Sequence, residues 1–347
     1  MNRRIRVLVC GFGRVGRSFA GLLADKRALV ERTHGLTLDL VGVGELAGSL
    51  LAPGGLPPAE TAALYETQHS FAGHADVRPN WRGLDLVREA EADVLVETTP
   101  TDVKTGEPAL SHIMAALGRG LHVASANKGP FIRHYRELRD LAARHGAALK
   151  LSAAAAAALP TLDVAHVCLA GTEILAIEGV LNGTSNFILT RMRAGHGYDG
   201  ALAEAQRLGI AEPDPTLDVE GYDTANKLAL IANVCMDADL APEQVERTGI
   251  TGLGAEAVRG AAAQGRIFRL VGRASRDGDG RVRAGVAPEA LPADHPLAAV
   301  DGAEKGITYT TDTMHRVTVV GGKSDPRGAA AALLKDILNI YRGVSAP

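Results

Sequence analysis

The feature that most constrains the fold is a glycine-rich turn near the start of the chain, Gly11-Phe-Gly-Arg-Val-Gly16. It follows a short β-branched run, residues 5–9, that predicts a strand, and it precedes a run, residues 17–24, that predicts a helix. In such a strand–turn–helix unit the first glycine makes the tight turn and the second lets the backbone approach a pyrophosphate. The third lets helix and strand pack closely, and the helix N-terminus adds free N–H groups and positive potential. The turn therefore predicts an α/β fold with a Rossmann-type dinucleotide-binding domain.

The cofactor contacts expected from this unit extend beyond the glycines. The second predicted strand, residues 38–43, is followed by Glu45, which is placed to bind the adenosine ribose hydroxyls. A carboxylate there repels a 2′-phosphate, so we expect NAD to be favoured over NADP. Arg14 and Arg17 keep NADP open as the alternative, because a guanidinium can bind that phosphate. The contact residues expected in the turn are Gly11, Phe12, Gly13, Arg14, Val15 and Gly16.

Two further predicted strands, residues 92–97 and 121–125, end in turns that could also contact the cofactor. Open α/β sheets bind their ligands at the carboxyl ends of the strands. We therefore expect contacts from Thr98, Thr99 and Pro100 after one strand, and from Asn127 and Lys128 after the other. The long stretch between the second of the four strands and the third, residues 47–82, predicts a surface excursion rich in proline and glycine.

A second candidate site lies in the segment 209–227. Pro213 and Pro215 predict a loop, and a helical pattern begins at about Val219. Asp223 and Lys227 are four residues apart and share one helical face, which alone would be an ordinary surface ion pair. Glu212 and Asp218 arrive from the preceding loop, so several carboxylates and one amine converge beside an apolar helix. Such a site could hold a small zwitterion, with carboxylates for its ammonium group.

Small residues mark another part of this site. A predicted strand, residues 174–181, leads through Asn182-Gly-Thr-Ser-Asn186 into a predicted helix, residues 187–192. Because small residues before a helix leave backbone N–H groups accessible, Gly183 and Thr184 are candidates to contact a carboxylate or hydroxyl of the substrate.

Composition narrows the class of protein. The 347 residues carry a formal net charge of −3, which gives no broad attraction to nucleic acid or to an anionic membrane. The three cysteines are far apart, which suits a reducing cytoplasm, and neither they nor the histidines have the spacing of a metal site. We expect no signal peptide and no membrane span, and a small molecule is the expected partner.

The segments around these candidate residues resemble those of the homoserine dehydrogenases. The resemblance rests on Glu97-Thr-Thr-Pro-Thr101, Gly106-Glu-Pro108, Ala126-Asn-Lys-Gly-Pro130 and the segment 209–227, which occur in the family's order and spacing. It implies NAD(P)-dependent interconversion of L-homoserine and L-aspartate 4-semialdehyde. It also implies that Lys227 is the main proton-handling residue and that Lys128 is its partner, or that the two roles are exchanged. If both lysines face one pocket, the repulsion between their like charges makes proton loss from one of them easier.

The resemblance implies the remaining architecture as well. Residues 1–150 form the dinucleotide-binding domain, to which residues 321–347 return, and residues 151–320 form an α+β catalytic and dimerisation domain with a mixed sheet. We expect Glu212 and Asp223 to hold the substrate ammonium group, and the resemblance places Gly183 and Thr184 where the family contacts the amino acid. Because the mixed sheet is commonly the dimer surface in the family, we expect a homodimer. A regulatory domain is not expected, because the chain ends soon after the last predicted helix.

Two departures from the family pattern keep other functions open. Ser152 and six alanines, residues 153–158, stand where many members have a glutamate and a glycine-containing turn, so we expect a weak or absent monovalent cation site and a turn that is more helical or strained. Ile210 stands where many members have an aromatic residue. The alternatives are a sister dehydrogenase acting on a different small amino alcohol or amino aldehyde, or a catalytically silent NAD(P)-binding regulator.

Overall fold

The computed structural model describes residues 2–323 and 325–344, and the chain divides into two compact units. The first unit comprises Met1–Ala154 and Asp325–Pro347, and the second comprises Ala155–Ser324. Among the described residues, no helix has the length and apolar character needed to cross a membrane.

The first unit is a sheet with helices. Its strands are β1 (Arg3–Cys10), β2 (Leu36–Gly44), β3 (Ser49–Leu51), β4 (Val77–Arg78), β5 (Val94–Glu97), β6 (His122–Ser125) and β7 (Leu149–Lys150). Its helices are α1 (Arg14–His34), α2 (Pro58–Gln68), α3 (Gly83–Glu89), α4 (Ala109–Gly118), α5 (Gly129–Arg144) and the C-terminal helix (Pro326–Tyr341).

The strand order of this sheet confirms the Rossmann-type prediction. The order is β4-β3-β2-β1-β5-β6-β7, and the five strands from β2 to β7 in that order run parallel. From β1 the chain moves to one side of the sheet and later returns to the other side at β5, so the topological switch point lies between β1 and β5. Val7 and Val9 of β1 are fully buried, as expected of a central parallel strand covered on both faces.

Two stretches of this unit differ from the sequence prediction. Glu45 lies further from Gly11 than the usual spacing of about 20 residues, which predicts an extra segment from Lys26 to Thr37. That segment is instead the second half of α1 followed by the start of β2. Residues 47–82 are also more ordered than a surface excursion, because β3 and β4 extend the sheet and α2 packs beside it. Leu50 and Phe71 of that stretch are buried in the core. The sequence did not predict these elements because proline and glycine residues occur along the stretch and its strands are too short to show an alternating pattern.

The second unit combines helices with one sheet. Its helices are α6 (Ser152–Ala156, beginning before the boundary), α7 (Thr161–Asp163), α8 (Gly183–Arg193), α9 (Tyr198–Arg207), α10 (Thr216–Val219), α11 (Tyr222–Met236) and α12 (Ala255–Ala263). Its strands are β8 (Ile174–Val180), β9 (Glu246–Arg247), β10 (Arg266–Arg276), β11 (Val282–Pro292), β12 (Lys305–Thr311) and β13 (Arg316–Gly321). Short π- and 3₁₀-helical turns occur at Val164–Cys168, Pro242–Gln244 and Pro296–Ala299.

The sheet of the second unit is mixed, as predicted. Its order is β13-β12-β8-β10-β11-β9, with antiparallel pairs throughout except for the parallel pair β11·β9. Helix α11 packs closely on this sheet: a Cβ at Gly272 of β10 would lie 3.3 Å from side-chain atoms of Leu228 and Thr224. The buried stretch of α11, residues 228–232, therefore fixes the helix whose first turns carry Asp223 and Lys227.

The alanine run is both helical and strained. Ser152–Ala156 is helical, and Ala157 directly after it has a φ of +54°, which an alanine adopts at a cost of roughly 1 kcal/mol. This confirms the expectation that replacing glycine by alanine changes the turn.

Candidate functional site

The glycine-rich turn has the geometry that dinucleotide binding needs. Gly11 has a φ of +84°, and a Cβ there would lie 2.5 Å from the backbone nitrogen of Thr99. A Cβ at Gly16 would lie 2.3 Å from the carbonyl oxygen of Gly11, so this glycine lets α1 approach β1. Gly13 is the exposed N-cap of α1, with no heavy atom of the described residues within 4 Å of its Cβ position. The turn therefore leaves room at a helix N-terminus for a diphosphate.

Glu45 lies beside this turn, at the end of β2. Its carboxylate accepts a hydrogen bond from the backbone N–H of Phe12. This contact holds the carboxylate next to the glycine-rich loop, where an adenosine ribose would lie. Arg14 and Val15 are in the first turn of α1, with Arg14 exposed.

One residue near Glu45, Tyr65, was not among the candidates from sequence. The Tyr65 ring, from α2, packs edge-on against Phe12 with centroids 5.7 Å apart. Burial and the neighbouring Glu45 carboxylate raise the pKa of the Tyr65 phenol, and the Arg17 guanidinium, 6.0 Å from the Tyr65 ring centroid, opposes that effect. Arg17 also donates to the carbonyl oxygen of Phe12 at 3.1 Å. Tyr65 belongs to the stretch expected to be a surface excursion, so no sequence signal pointed to it.

The threonines after β5 use their side chains within the protein. The Thr98 hydroxyl donates to the carbonyl oxygens of Cys10 and Gly11, and the Thr99 hydroxyl donates to Glu97. Asn127 is used in the same way, because its Nδ2 donates to the carbonyl oxygens of Thr99 and Pro100 at 3.0 and 3.1 Å. These side chains fix the shape of the loops at the carboxyl ends of β5 and β6.

Beneath these loops lies a buried group of three titratable side chains. Cys10, Glu97 and His112 place one ligand-type atom each within 4.8 Å of one another. Such residue types can ligate a metal ion, yet both carboxylate oxygens of Glu97 already accept hydrogen bonds, from Thr99 and from His112. Burial and the charges of Glu97 and Glu45 raise the pKa of the Cys10 thiol well above its ordinary value, so Cys10 is held as a neutral thiol.

Lys128 occupies the N-cap position of α5, directly after the loop that contains Asn127. Its side chain is half-buried, and its carbonyl oxygen accepts N–H bonds from Phe131 and Ile132. The lysine is therefore fixed at the carboxyl end of β6, as the sequence predicted for a residue following that strand.

The cation site expected to be weak contains a fixed ammonium group. The Ser152 hydroxyl donates to Asp336 Oδ1 at 2.7 Å and accepts from Lys335 Nζ at 2.9 Å. Lys335 Nζ also lies 2.9 Å from Asp336 Oδ1, and Asp336 is fully buried. A lysine therefore neutralises the buried carboxylate beside Ser152.

In the second unit, the acidic segment and α11 form a compact polar cluster. Lys227 Nζ lies 2.6 Å from Asp223 Oδ2 and donates to the carbonyl oxygen of Leu181 at 3.0 Å. The side chains of Asp223 and Lys227 are each 14% exposed, so this pair is largely withdrawn from solvent. The shared helical face predicted for these two residues is confirmed.

Asn182 joins the two carboxylates of the cluster. Its Nδ2 donates to Asp218 Oδ1 at 2.6 Å and to Asp223 Oδ2 at 2.9 Å. Its Oδ1 caps α8 by accepting the Ser185 N–H at 2.9 Å. Asn182 was not singled out from the sequence as a site residue, although an asparagine directly before a helix is a recognised N-cap signal.

The environment of Asp218 is unfavourable for its charge. Burial and the nearby Asp223 carboxylate raise the pKa of Asp218, while bonds from Asn182 and Thr184 and the charge of Lys227 oppose that shift. Asp218 lies in the short helix α10 and not in a loop as predicted, because Pro215 can serve as the N-cap of a helix that begins at Thr216. Two carboxylates this close repel each other, so a cationic ligand placed between them would stabilise both charges.

The other predicted substrate residues differ in burial: Gly183 and Thr184 are buried, whereas Glu212 is exposed. Gly183 and Thr184 are buried in the first turn of α8, so the helix begins earlier than predicted. The Thr184 hydroxyl donates to the carbonyl oxygen of Ile210 at 3.0 Å. Glu212 is exposed, and its carbonyl oxygen accepts from Gln206. The cluster therefore consists of Asn182, Thr184, Asp218, Asp223 and Lys227, with the Glu212 side chain in solvent.

Comparison with known proteins covers both units. The family model described as homoserine dehydrogenase matches residues 160–338, and the model described as homoserine dehydrogenase, NAD binding domain, matches residues 11–152. The matched ranges contain the polar cluster of the second unit and the glycine-rich turn of the first.

Individual relatives match over nearly the whole chain. An NAD(+)-dependent homoserine dehydrogenase of Pseudomonas canavaninivorans is 36% identical, with 98% of this chain and 97% of that protein covered. A homoserine dehydrogenase of Methanocaldococcus jannaschii is 35% identical, with 96% and 98% covered. The structure of a hyperthermophilic archaeal homoserine dehydrogenase in complex with NADPH superposes with a TM-score of 0.82 at 28% identity, covering 97% of each chain.

Proposed function

This chain belongs to the homoserine dehydrogenase family, and on that premise we propose how its own residues carry out the reaction. The chain is an oxidoreductase that acts on a CH–OH group, interconverting L-homoserine and L-aspartate 4-semialdehyde. The observation that carries the assignment of roles is the cluster of Asn182, Asp218, Asp223 and Lys227 in the second unit. It offers carboxylates for an ammonium group and an amine for a reacting oxygen.

The substrate ammonium group is proposed to bind the carboxylates. A cationic group placed between Asp218 and Asp223 would relieve the repulsion that raises the pKa of Asp218. Glu212 is proposed to join them from the exposed loop. The first turn of α8, at Gly183 and Thr184, offers backbone N–H groups without i−4 partners, which suit the substrate carboxylate.

Lys227 is proposed to move the proton of the reacting oxygen. Its ammonium group is held by Asp223 and by the carbonyl oxygen of Leu181, so it begins as a proton donor of fixed position. In the direction of semialdehyde reduction it would donate a proton to the oxygen of the carbon that receives hydride. In the direction of homoserine oxidation a neutral Lys227 would accept the hydroxyl proton, a role worth roughly 10²- to 10⁴-fold in rate. Lys128 is proposed as its partner.

The first unit is proposed to hold a nicotinamide dinucleotide. The open N-cap at Gly13 and the turn residues 11–16 would hold the diphosphate, and Glu45 the adenosine ribose. The loops at 98–100 and at 127–128 would contact the nicotinamide half. The dinucleotide supplies the hydride acceptor or donor, and the protein orients it.

We propose that NAD is preferred over NADP. The support is the Glu45 carboxylate beside Phe12, because its charge opposes a 2′-phosphate at the same place. The relative from Pseudomonas canavaninivorans is named as NAD(+)-dependent, whereas the archaeal relative was solved with NADPH.

We also propose a cytoplasmic homodimer. Edge strand β13 has Val320 43% exposed, and the adjoining hairpin turn has Met314 47% exposed, so this end of the mixed sheet offers apolar area to a second copy. The three cysteines are free, in keeping with a reducing compartment. Analytical ultracentrifugation of the purified protein tests the oligomeric state.

One experiment tests the function directly. Purified protein is assayed for reduction of NAD and of NADP, followed at the absorbance of the reduced nicotinamide, with L-homoserine and with a panel of related amino alcohols. The expected result is turnover of homoserine above every other alcohol, with a higher kcat/KM for NAD than for NADP. Turnover of another amino alcohol in preference to homoserine would contradict the assignment.

A further inference from the structure

The buried carboxylate–imidazole pair of Glu97 and His112 has no part in the reaction described above. Glu97 is fully buried and His112 is 5% exposed, and His112 Nδ1 lies 2.8 Å from Glu97 Oε2. A buried carboxylate costs several kcal/mol unless it is paired and hydrogen-bonded. The pair lies directly beneath the loop that follows β5.

The second oxygen of Glu97 fixes the loop that follows β5. Glu97 Oε1 accepts the backbone N–H of Thr99 at 2.7 Å and also the Thr99 hydroxyl. One carboxylate thus links the imidazole of α4 to the backbone and the side chain of a residue at the carboxyl end of β5. Bonds to an ionised acceptor are stronger and shorter than neutral ones, so this is a stiff connection.

The connection continues to the neighbouring loop. Asn127 Nδ2 donates to the Thr99 carbonyl oxygen at 3.0 Å, and Asn127 Oδ1 accepts the Gly129 N–H at the start of α5 at 3.0 Å. A chain of hydrogen bonds therefore runs from His112 through Glu97, Thr99 and Asn127 to Gly129. It joins the carboxyl ends of β5 and β6, the edge where an open α/β sheet binds its dinucleotide.

We propose that Glu97 and His112 are positioning residues for the cofactor, which act through Thr99 and Asn127 to hold the two loops in the shape that binds the nicotinamide half. This inference rests on the proposed dinucleotide function of the first unit. The imidazole supplies the donor that lets a buried carboxylate stay in place, and the carboxylate keeps Thr99 from turning its backbone. Preorganised loops bind a ligand more tightly because less ordering remains to be done on binding.

The test compares three variants of the full chain in direct NADH titrations followed by fluorescence, without substrate. His112→Leu removes the donor, whereas His112→Asn keeps an amide N–H close to the place of Nδ1. Thr37→Val is the matched control. It removes a partly buried hydroxyl–carboxylate bond of 3.0 Å, from Thr37 to Glu31, in the same unit but at the end of β2 far from Glu45. Unfolding temperatures are measured for all three.

The expected result is a loss of NADH affinity of about tenfold for His112→Leu, the size associated with losing a hydrogen bond to a charged group. His112→Asn should bind within about twofold of the unsubstituted protein, since the donor is retained. Thr37→Val should lower the unfolding temperature and leave NADH affinity unchanged. A merely structural role predicts instead that His112→Leu loses stability but keeps its NADH affinity, and that result would overturn the proposal.

A second variant keeps the test decisive if His112→Leu does not fold. Thr99→Val removes the hydroxyl that donates to Glu97 at a half-buried position and leaves the backbone N–H bond to the same carboxylate in place. Because only one of the two bonds from Thr99 to Glu97 is lost, NADH binding should weaken by about threefold. Unchanged affinity of this variant would count against the proposal. Because no substrate is present, these titrations remain informative even if homoserine is not turned over, so failure of the proposed substrate and failure of this inference are distinguishable.

Discussion

Asp223 Oδ2 and Lys227 Nζ lie 2.6 Å apart, one turn from each other on α11. The pair stands at the N-terminal end of the helix, where the helix dipole favours the carboxylate. Because both side chains are only 14% exposed, the pair is not an ordinary surface salt bridge, whose contribution would be about 0–1 kcal/mol. Its partners, Asn182 and Leu181, fix both charges at a place where the proposed substrate can meet them.

Asn182 bonds to both carboxylates of the polar cluster and caps α8. Asn182→Ala removes the donor shared by Asp218 and Asp223 and also the cap of α8, so stability should fall by about 1–2 kcal/mol. The KM for homoserine should rise several-fold, whereas the KM for NAD should stay unchanged. The matched control is Asn233→Ala, which removes a buried amide of α11 bonded to Leu240. The control should lose stability without a change in the KM for homoserine.

Asp218→Asn should stabilise the protein and weaken substrate binding. Burial and Asp223 raise the pKa of Asp218 in the folded state, so the folded protein binds this proton more tightly than the unfolded chain does. The ionised group therefore lowers stability above its folded-state pKa and has no such effect below the ordinary carboxyl pKa.

The check on Asp218 is a pH series of unfolding temperatures. The variant should unfold at a higher temperature than the unsubstituted protein at neutral pH, and the difference should shrink as the pH is lowered toward the ordinary carboxyl range. Homoserine KM should rise at every pH at which the unsubstituted residue is ionised. A variant less stable at neutral pH would contradict the account of this cluster.

The cofactor preference should depend on Glu45. Glu45→Gln keeps an oxygen that can accept the Phe12 N–H but removes the charge, so the ratio of kcat/KM for NAD to that for NADP should fall by about tenfold or more. Tyr65→Phe removes the phenol beside that carboxylate and should shift the ratio in the same direction, but less. Tyr198→Phe, in the second unit, is the control that should leave the ratio unchanged. An unaltered ratio in Glu45→Gln would rule out this basis for the preference.

Activity should not require a particular monovalent cation. Lys335 already supplies a positive charge beside Ser152 and the buried Asp336. Homoserine turnover measured in sodium, potassium and tetramethylammonium chloride at one ionic strength should therefore agree within about twofold, the range of ordinary screening effects. A strong dependence on sodium or potassium would show that a cation site exists in spite of the serine.

The sequence was informative where a local pattern determines geometry. Three features follow from short-range rules and are present in the structure. They are the glycine-rich turn, the parallel strands that precede Thr98 and Asn127, and the shared helical face of Asp223 and Lys227. The alanine run likewise indicated the change in the turn after Ser152, where Ala157 takes a positive φ.

Other features depend on contacts between distant residues, which no short pattern contains. The place of Tyr65 beside Phe12 requires α2 to pack next to α1, and Asn182 meets Asp218 only because α8 and α10 are neighbours. The Glu97–His112 pair joins a strand end to the helix that follows it, and a histidine in an apolar helix gives no sign of its partner. The long strand β10 was also not predicted, since its residues do not alternate cleanly between polar and apolar.

The most direct test of the account is the turnover of Lys227→Ala. With homoserine and NAD the variant should lose at least about 10²-fold in kcat, the lower end of what a general acid–base residue contributes. Its NADH affinity, measured by fluorescence titration, should stay close to that of the unsubstituted protein. The control Lys26→Ala, at an exposed position, should keep near-normal turnover. Near-normal turnover of Lys227→Ala would contradict the central claim that this amine handles the proton.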